Sequence, residues 1–197
     1  MKYPHIIVVC LLLVLSCKKE KHTMIEIETE LGTIIAELYV DKAPKTCANF
    51  LKYIEQGAYK DARFYRTVRL DNQLQSEVKI EVIQGGIDSE DVMFEPVAHE
   101  NTNETGVLHE DGTLSMARYE PGTATTEFFI CLGNQPELDY GGKRNPDGQG
   151  FAAFGKVVQG MDIVKAIQQL KDEDQMLIEP VFFKIVSVKS TTGYRTL

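Results

Sequence analysis

Nucleophilic and acid–base chemistry need side chains that this sequence supplies sparingly. Histidine occurs at four positions, and with His5 and His22 in the N-terminal segment only His99 and His109 remain for catalysis. Both fall in stretches that read as loop, which disfavours a Ser/His/Asp hydrolase. Neither a G-x-S-x-G elbow nor a glycine-rich phosphate cradle ending in Lys-Ser/Thr is present. "AHENTNETGVLHED" gathers His99, Glu100, Glu104, His109 and Glu110 without the H-E-x-x-H spacing of a helical zinc site. It reads as a solvated acidic loop, and no metal is expected.

What remains is a set of apolar, strand-like segments that each carry an isolated polar residue. In "RFYRTVRL", alternation puts Phe64, Val68 and Leu70 on one face with Arg66 among them. The other face, with Arg63, Tyr65, Thr67 and Arg69, reads as solvated. Read by itself, Arg66 reaches water along its stem at a strand end or bulge near Thr67. "KIEVIQGG" puts Ile80, Val82 and Gln84 on one face, and Gly85 and Gly86 allow close backbone approach. "GTLSMAR" is a strand ending in Arg118. In "TTEFFICLG", Phe128 and Phe129 are adjacent, so one of them faces away from the core or lines a cleft. Taken singly, each has a plain structural reading: Gln84 capping a strand end, Arg118 solvated, the phenylalanines filling two cores.

The elements that must carry these residues follow from periodicity. "MIEIETELGTIIAELY" gives a hairpin turning at Glu30–Gly32. In "DKAPKTCANFLKYIEQGAY" the period lengthens: Pro44 suits a first helical position, Cys47, Phe50, Leu51 and Ile54 recur at helical spacing, and Gly57 stops the helix. Further strands are expected near Arg63–Val68, Ile80–Gln84, Thr113–Ala117, Glu127–Leu132, Ala153–Val158 and Val181–Lys189. "GMDIVKAIQQLKDED" reads as a second amphipathic helix, with Ile163, Val164, Ile167 and Leu170 as its stripe. About eight short strands and a pair of helices that do not alternate favour an antiparallel barrel or sandwich over a parallel sheet. The stretches Ile87–Asp111 and Gly133–Gly150 read as long loops, a length that usually signals function.

Composition sets the limits. The chain has 197 residues, 43% hydrophobic and 25% charged, which is ordinary for one globular domain. A net charge of −8 with no visible basic stripe argues against nucleic acid as a partner. Ile6–Leu15 is an apolar run of roughly ten residues, half the length of a spanning helix and suited to a signal peptide. It ends in "VLSC", which resembles a bacterial lipobox with the lipid on Cys17, although Leu15 is larger than the usual residue. An uncleaved anchor or an ordinary secretory signal is the alternative. The expected organisation is a signal peptide over 1–16, a polar tether over 17–23, a folded domain over 24–190 and a tail over 191–197. Lys18, Lys19 and Lys21 could lie against anionic headgroups. The protein is therefore expected in the cell envelope, lipid-anchored to a membrane and facing periplasm or cell surface. Cys47 and Cys131 show no bridge or metal spacing and read as small buried apolar residues.

In order along the chain stand "APKTCANF" at 43–50, "FYR" at 64–66, "QGG" at 84–86, "GTLSMA" at 112–117, "EFFIC" at 127–131, "LD" at 138–139 and "FGKVVQGMDIVKAI" at 154–167. This ordered set resembles the cyclophilin family of peptidyl-prolyl isomerases and spans nearly all of Met24–Lys189. The resemblance implies a mainly β fold: a closed eight-stranded antiparallel barrel capped by two α-helices. It implies isomerisation of X–Pro bonds in proline-containing polypeptides, here exported proteins, with no cofactor. Arg66 would reach into a substrate cleft on the barrel's outside and donate to the prolyl nitrogen of a twisted amide. Phe129 would floor a proline pocket walled by Val82, Leu138 and Phe151. Gln84 would bond the substrate carbonyl and help orient Arg66, Glu127 would lie beside that pair, and Ala117 and Arg118 would line the peptide, Arg118 chiefly through its backbone. A monomer is expected.

Several positions depart from the best-known members. Tyr65 replaces a histidine, which matters little if its side chain faces away. Glu81 and Val82 stand where Phe-Met is usual, Phe151 where a histidine is common, and Arg118 replaces an asparagine. Glu137 stands in place of a frequent tryptophan, which puts tight cyclosporin binding in doubt. The segment Arg69–Lys79 is longer than the usual turn, and we read it as a solvated loop rather than a flap over the cleft. Two other functions stay open: a non-catalytic proline-peptide-binding or chaperone module on the same barrel, and a barrel holding a small apolar ligand inside.

Overall fold

Alternating apolar residues at Ile25 and Ile27, then Ile34, Ala36 and Leu38, give the two opening strands one fully buried face. The computed structural model describes residues 23–87 and 94–188. The apolar run, Cys17, the lysines that follow it and the tail over 191–197 lie outside the described residues. Among the described residues there are nine strands: β1 (Thr23–Thr29), β2 (Gly32–Leu38), β3 (Ala62–Val68), β4 (Val82–Gly86), β5 (Thr113–Met116), β6 (Phe128–Cys131), β7 (Ala152–Gln159), β8 (Asp172–Glu173) and β9 (Met176–Val188). The helices are α1 (Pro44–Glu55), the single turn α2 (Thr102–Thr105) and α3 (Met161–Gln168).

The strands run β1-β2-β7-β5-β6-β4-β3-β9, and β9 returns to β1, so eight of them close a barrel. Closure leaves that circuit no open edge. The two-residue β8 pairs with β9, as an arm outside the circuit. The interior is filled by the protein's own side chains. Phe50 of α1 packs its ring 5.1, 5.4 and 5.0 Å from those of Tyr59, Phe128 and Phe154. Side chains can fill an eight-stranded barrel of this size in this way. Cys47 and Cys131 are free and buried, on α1 and β6. Burial and the nearby Glu100 carboxylate push the Cys47 thiol up to about 12.

A second buried cluster lies on the opposite face of β4 and β6: Val68, Ile80, Val82, Phe129, Cys131 and Leu138, with Ala117 and Phe151 against it. The adjacent phenylalanines divide between the two clusters, Phe128 to the interior and Phe129 to the outer face.

The phase of β3 differs from simple alternation. Phe64 pairs with Gly85 and Arg66 with Gln84, so Tyr65 is an extra residue in a β-bulge. The bulge reverses the alternation. Phe64 points into the barrel, whereas Arg66 and Val68 stand on the outer face and Thr67 is fully buried, its hydroxyl donating to the Gln168 carbonyl at 2.8 Å. Arg66 and Phe64 therefore share no face. Gly85 makes the crossing possible, because a Cβ there would stand 2.5 Å from the Arg63 carbonyl oxygen.

Two further expectations change. The helix beginning at Met161 ends at Gln168, because Asp172 and Glu173 are drawn into pairing with β9. The acidic loop is not simply solvated. Glu100 is buried and its carboxylate accepts from the Lys45 and Thr46 amides and the Thr46 hydroxyl, capping α1 where Ala43 offers no side-chain cap. Among the described residues no group of three or more His, Cys, Asp or Glu could hold a metal ion.

Candidate active site

The outer cluster opens as a cavity of about 450 Å³ between β3, β4, β6 and the loops that flank them. Its walls include Arg66, Val82, Gln84, Ala117, Arg118, Glu127, Phe129, Leu138 and Phe151, so every residue expected at the cleft lines one cavity. Phe129 is 4% exposed and stands at its base, with the Phe151 ring edge-on at 5.3 Å and Val82 and Leu138 packed beside it.

Arg66 is half-buried, and three of its N–H groups are held by side chains. Nη1 donates to Gln84 Oε1 at 2.8 Å, while Nε and Nη2 donate to Gln175 Oε1 at 3.2 and 2.6 Å. A guanidinium has five such donors. Burial lowers the Arg66 pKa, opposed by the Tyr65 hydroxyl; an arginine in this setting keeps its charge. The cavity therefore contains an oriented cation above an apolar base.

Gln84 commits both ends of its amide to the protein. Its oxygen takes Arg66, and its nitrogen donates to the Tyr65 hydroxyl at 2.9 Å and to Glu127 Oε2 at 3.3 Å. These bonds orient Arg66. Tyr65 does not face away: its hydroxyl donates to Glu127 Oε2 at 2.5 Å and its side chain lines the cavity. The bulge brings it there. Burial, then the Glu127 carboxylate, raises the Tyr65 pKa, so the phenol stays a neutral donor.

Behind the base lies an arrangement that the sequence reading did not find. His109 Nδ1 bonds Asp139 Oδ1 at 2.7 Å, Nε2 bonds Ser115 Oγ at 2.9 Å, and the ring stacks on Phe129 at 5.9 Å and 18°. Ser115 is fully buried, so its hydroxyl meets no substrate and the chain of bonds supports the pocket floor. On the rim, Arg118 reaches Asp147 at 2.8 Å and the Gly150 carbonyl, with its guanidinium 5.2 Å from the Phe151 ring centre. Its side chain is 1% exposed, so it buttresses the 145–151 loop.

The Arg69–Lys79 segment is a loop, as expected, with Leu70, Asp71, Leu74, Gln75, Glu77 and Lys79 exposed, but one residue anchors it from within. Gln73 is 2% exposed; its amide nitrogen donates to the Arg69 and Ile80 carbonyls at 2.7 Å each, and its oxygen accepts from Ile80 N at 3.2 Å. Arg144 Nη1 adds bonds to Gln73 Oε1, Ser76 Oγ and the Val78 carbonyl, at 3.1, 2.6 and 2.6 Å. Burial and then Arg66 lower the Arg144 pKa. Ile80, Arg144 and Gln175 were not expected near the cleft. Ile80 could have been found from its strand phase; the other two meet the site only through long-range folding.

A family model described as "Cyclophilin type peptidyl-prolyl cis-trans isomerase/CLD" matches residues 24–190. Peptidyl-prolyl cis-trans isomerase cyp18 of Streptomyces antibioticus is 35% identical over 152 residues, covering 75% of this chain and 84% of that protein. Peptidyl-prolyl cis-trans isomerase B of Escherichia coli K12 is 32% identical over 149 residues, 74% of this chain and 84% of that one. Among solved structures, a cyclophilin-type peptidyl-prolyl cis-trans isomerase of Cryptosporidium parvum superposes with a TM-score of 0.66 at 22% identity, over 86% of this chain and 99% of its own.

Proposed function

The chain belongs to the cyclophilin-type peptidyl-prolyl cis-trans isomerase family, and we propose that it turns X–Pro bonds by donating from Arg66 to the prolyl nitrogen over a floor made by Phe129. The uncatalysed rotation is slow because resonance gives the C–N bond partial double-bond character, with a barrier of about 18–20 kcal/mol. No nucleophile is required. As the amide twists, the nitrogen regains a lone pair that the planar form lacks, and a guanidinium N–H gains an acceptor present only in the transition state. A hydrogen bond from a charged donor is worth roughly 1.5–3 kcal/mol, or about one to two powers of ten in rate. Val82, Leu138 and Phe151 hold the proline ring while the acyl side rotates. The observation that carries the reading is the Arg66 guanidinium, bonded to Gln84 and Gln175 beside the cavity that Phe129 floors.

The substrates in this reading are proline-containing segments of exported proteins, met in the cell envelope. The apolar run Ile6–Leu15 followed by "VLSC" supports that location, with a lipid on Cys17 as the membrane anchor. A proline-isomerisation assay on a short peptide tests the chemistry. Arg66→Ala is expected to lower kcat/KM ten- to hundredfold while peptide affinity changes little. A rate equal to that of the parent would remove Arg66 from the mechanism.

A further inference from the structure

We propose that the Arg69–Lys79 segment positions Arg66 through Gln175: the Asn72 carbonyl fixes the Gln175 amide, whose oxygen holds the guanidinium. This rests on the reading of Arg66 given above.

Gln175 Nε2 donates to the Asn72 carbonyl at 3.2 Å, and Oε1 accepts from Arg66 Nε and Nη2 at 3.2 and 2.6 Å. Turned over, the amide would set its NH2 group against guanidinium donors and its oxygen against a carbonyl oxygen. The Asn72 carbonyl thus selects the orientation that serves Arg66.

The backbone at Gln175 points the same way. Glu173 pairs with Met176, leaving Asp174 and Gln175 as a two-residue turn with φ of 47° and 72°. Such a turn favours glycine at its second position. Turn geometry gives no reason for a glutamine there, whereas its side-chain contacts do.

Asn72 is itself pinned. Its side-chain nitrogen donates to the Thr67 carbonyl at 3.1 Å and Asp172 Oδ2 at 2.9 Å, and its oxygen accepts from Arg69 N at 2.7 Å. Asp172 Oδ2 also accepts from Gln175 N at 3.1 Å, and its other oxygen is bonded to the Arg69 guanidinium. The segment, the β8–β9 turn and the arginine thus form one hydrogen-bonded unit.

Gln175→Gly separates positioning from stability, because glycine suits the turn while removing the contacts to Arg66. The expected result is kcat lowered about tenfold, affinity for a proline peptide within twofold of the parent, and a melting temperature equal or higher. Asn72→Ala is expected to lower kcat alone and to add nothing in the Gln175→Gly background, as required of residues acting through one another. Gln175→Gly with kcat within twofold of the parent would overturn the inference, as would a loss of rate that tracks a lowered melting temperature. So would an equal effect of Asn72→Ala in both backgrounds. Arg66→Ala, measured alongside, tells which idea has failed. If it slows the enzyme and Gln175→Gly does not, the positioning role alone falls; if it has no effect, the reading of Arg66 falls and takes this inference with it.

Discussion

One phenolic oxygen joins three residues at the mouth of the cleft. Tyr65 donates to Glu127 and accepts from Gln84, and Gln84 in turn holds Arg66. Tyr65→Phe removes both bonds with little change in shape. An ordinary hydrogen bond contributes about 0.5–1.5 kcal/mol net, and a buried partner left unsatisfied costs about 1–3 kcal/mol. Gln84 retains Glu127 as an acceptor, so its amide loosens rather than turns over. We expect kcat/KM to fall about three- to tenfold in the peptide assay, with a small drop in melting temperature. A fall as large as that of Arg66→Ala would mean that the phenol touches the reacting amide itself. The family motif made Arg66, Gln84 and Phe129 legible in the sequence, because each lies in a short run of distinctive neighbours. Simple alternation puts Tyr65 on the solvated face, and a bulge expected near Thr67 does not say which residue is the extra one; the pairing of both Phe64 and Arg66 with β4 does.

Between elements, the inserted segment and the β8–β9 arm are joined at Asp172. Its side chain is 6% exposed and takes bonds from Arg69, Asn72 and the backbone N–H of Gln175. Burial alone would raise this carboxyl, but the hydrogen bonds from Asn72 and Arg69 outweigh it and hold the pKa below the usual value. A depressed carboxylate contributes stability that is fully present above its unfolded pKa of about 3.9 and is lost as pH falls through the folded value. Asp172→Asn faces several donors with one acceptor fewer and no charge. It is expected to cost about 2 kcal/mol at pH 7, with the gap to the parent closing below about pH 4. Melting temperatures of both forms at the two pH values check this, since the other carboxylates cancel in the difference. A gap independent of pH would show that the charge of Asp172 does not hold the joint. Little of the joint could be read from sequence. "KDED" continues a helical stripe on local periodicity, and its pairing with Met176 and Leu177 is decided by β9, which begins at Met176, ahead of the Val181 start that the apolar pattern gives.

Across the whole molecule, closure depends on the two ends of the barrel sequence. β1 pairs with β9 from Met24 opposite Val188 to Thr29 opposite Phe183, so the circuit closes between the first and last described strands. Contacts so far apart in sequence form late and slow folding. Once formed, they complete the barrel, core and cleft within residues 23–188, while the proposed anchor at Cys17 lies before them. Attachment to the membrane should then be separable from fold and chemistry. Cys17→Ala is expected to move the protein from the membrane fraction to the soluble fraction, leaving melting temperature and kcat/KM on a short proline peptide unchanged. A single acyl chain holds a protein only marginally, so stable anchoring takes a second signal. A lipid-modified Cys17 with more than one chain, or with Lys18, Lys19 and Lys21 on anionic headgroups, meets that condition; mass spectrometry of the mature N-terminus distinguishes the two. Substituted protein still sedimenting with membrane would place the anchor elsewhere in the chain. Loss of kcat/KM in the soluble form would mean that the membrane, and not the barrel alone, shapes the cleft.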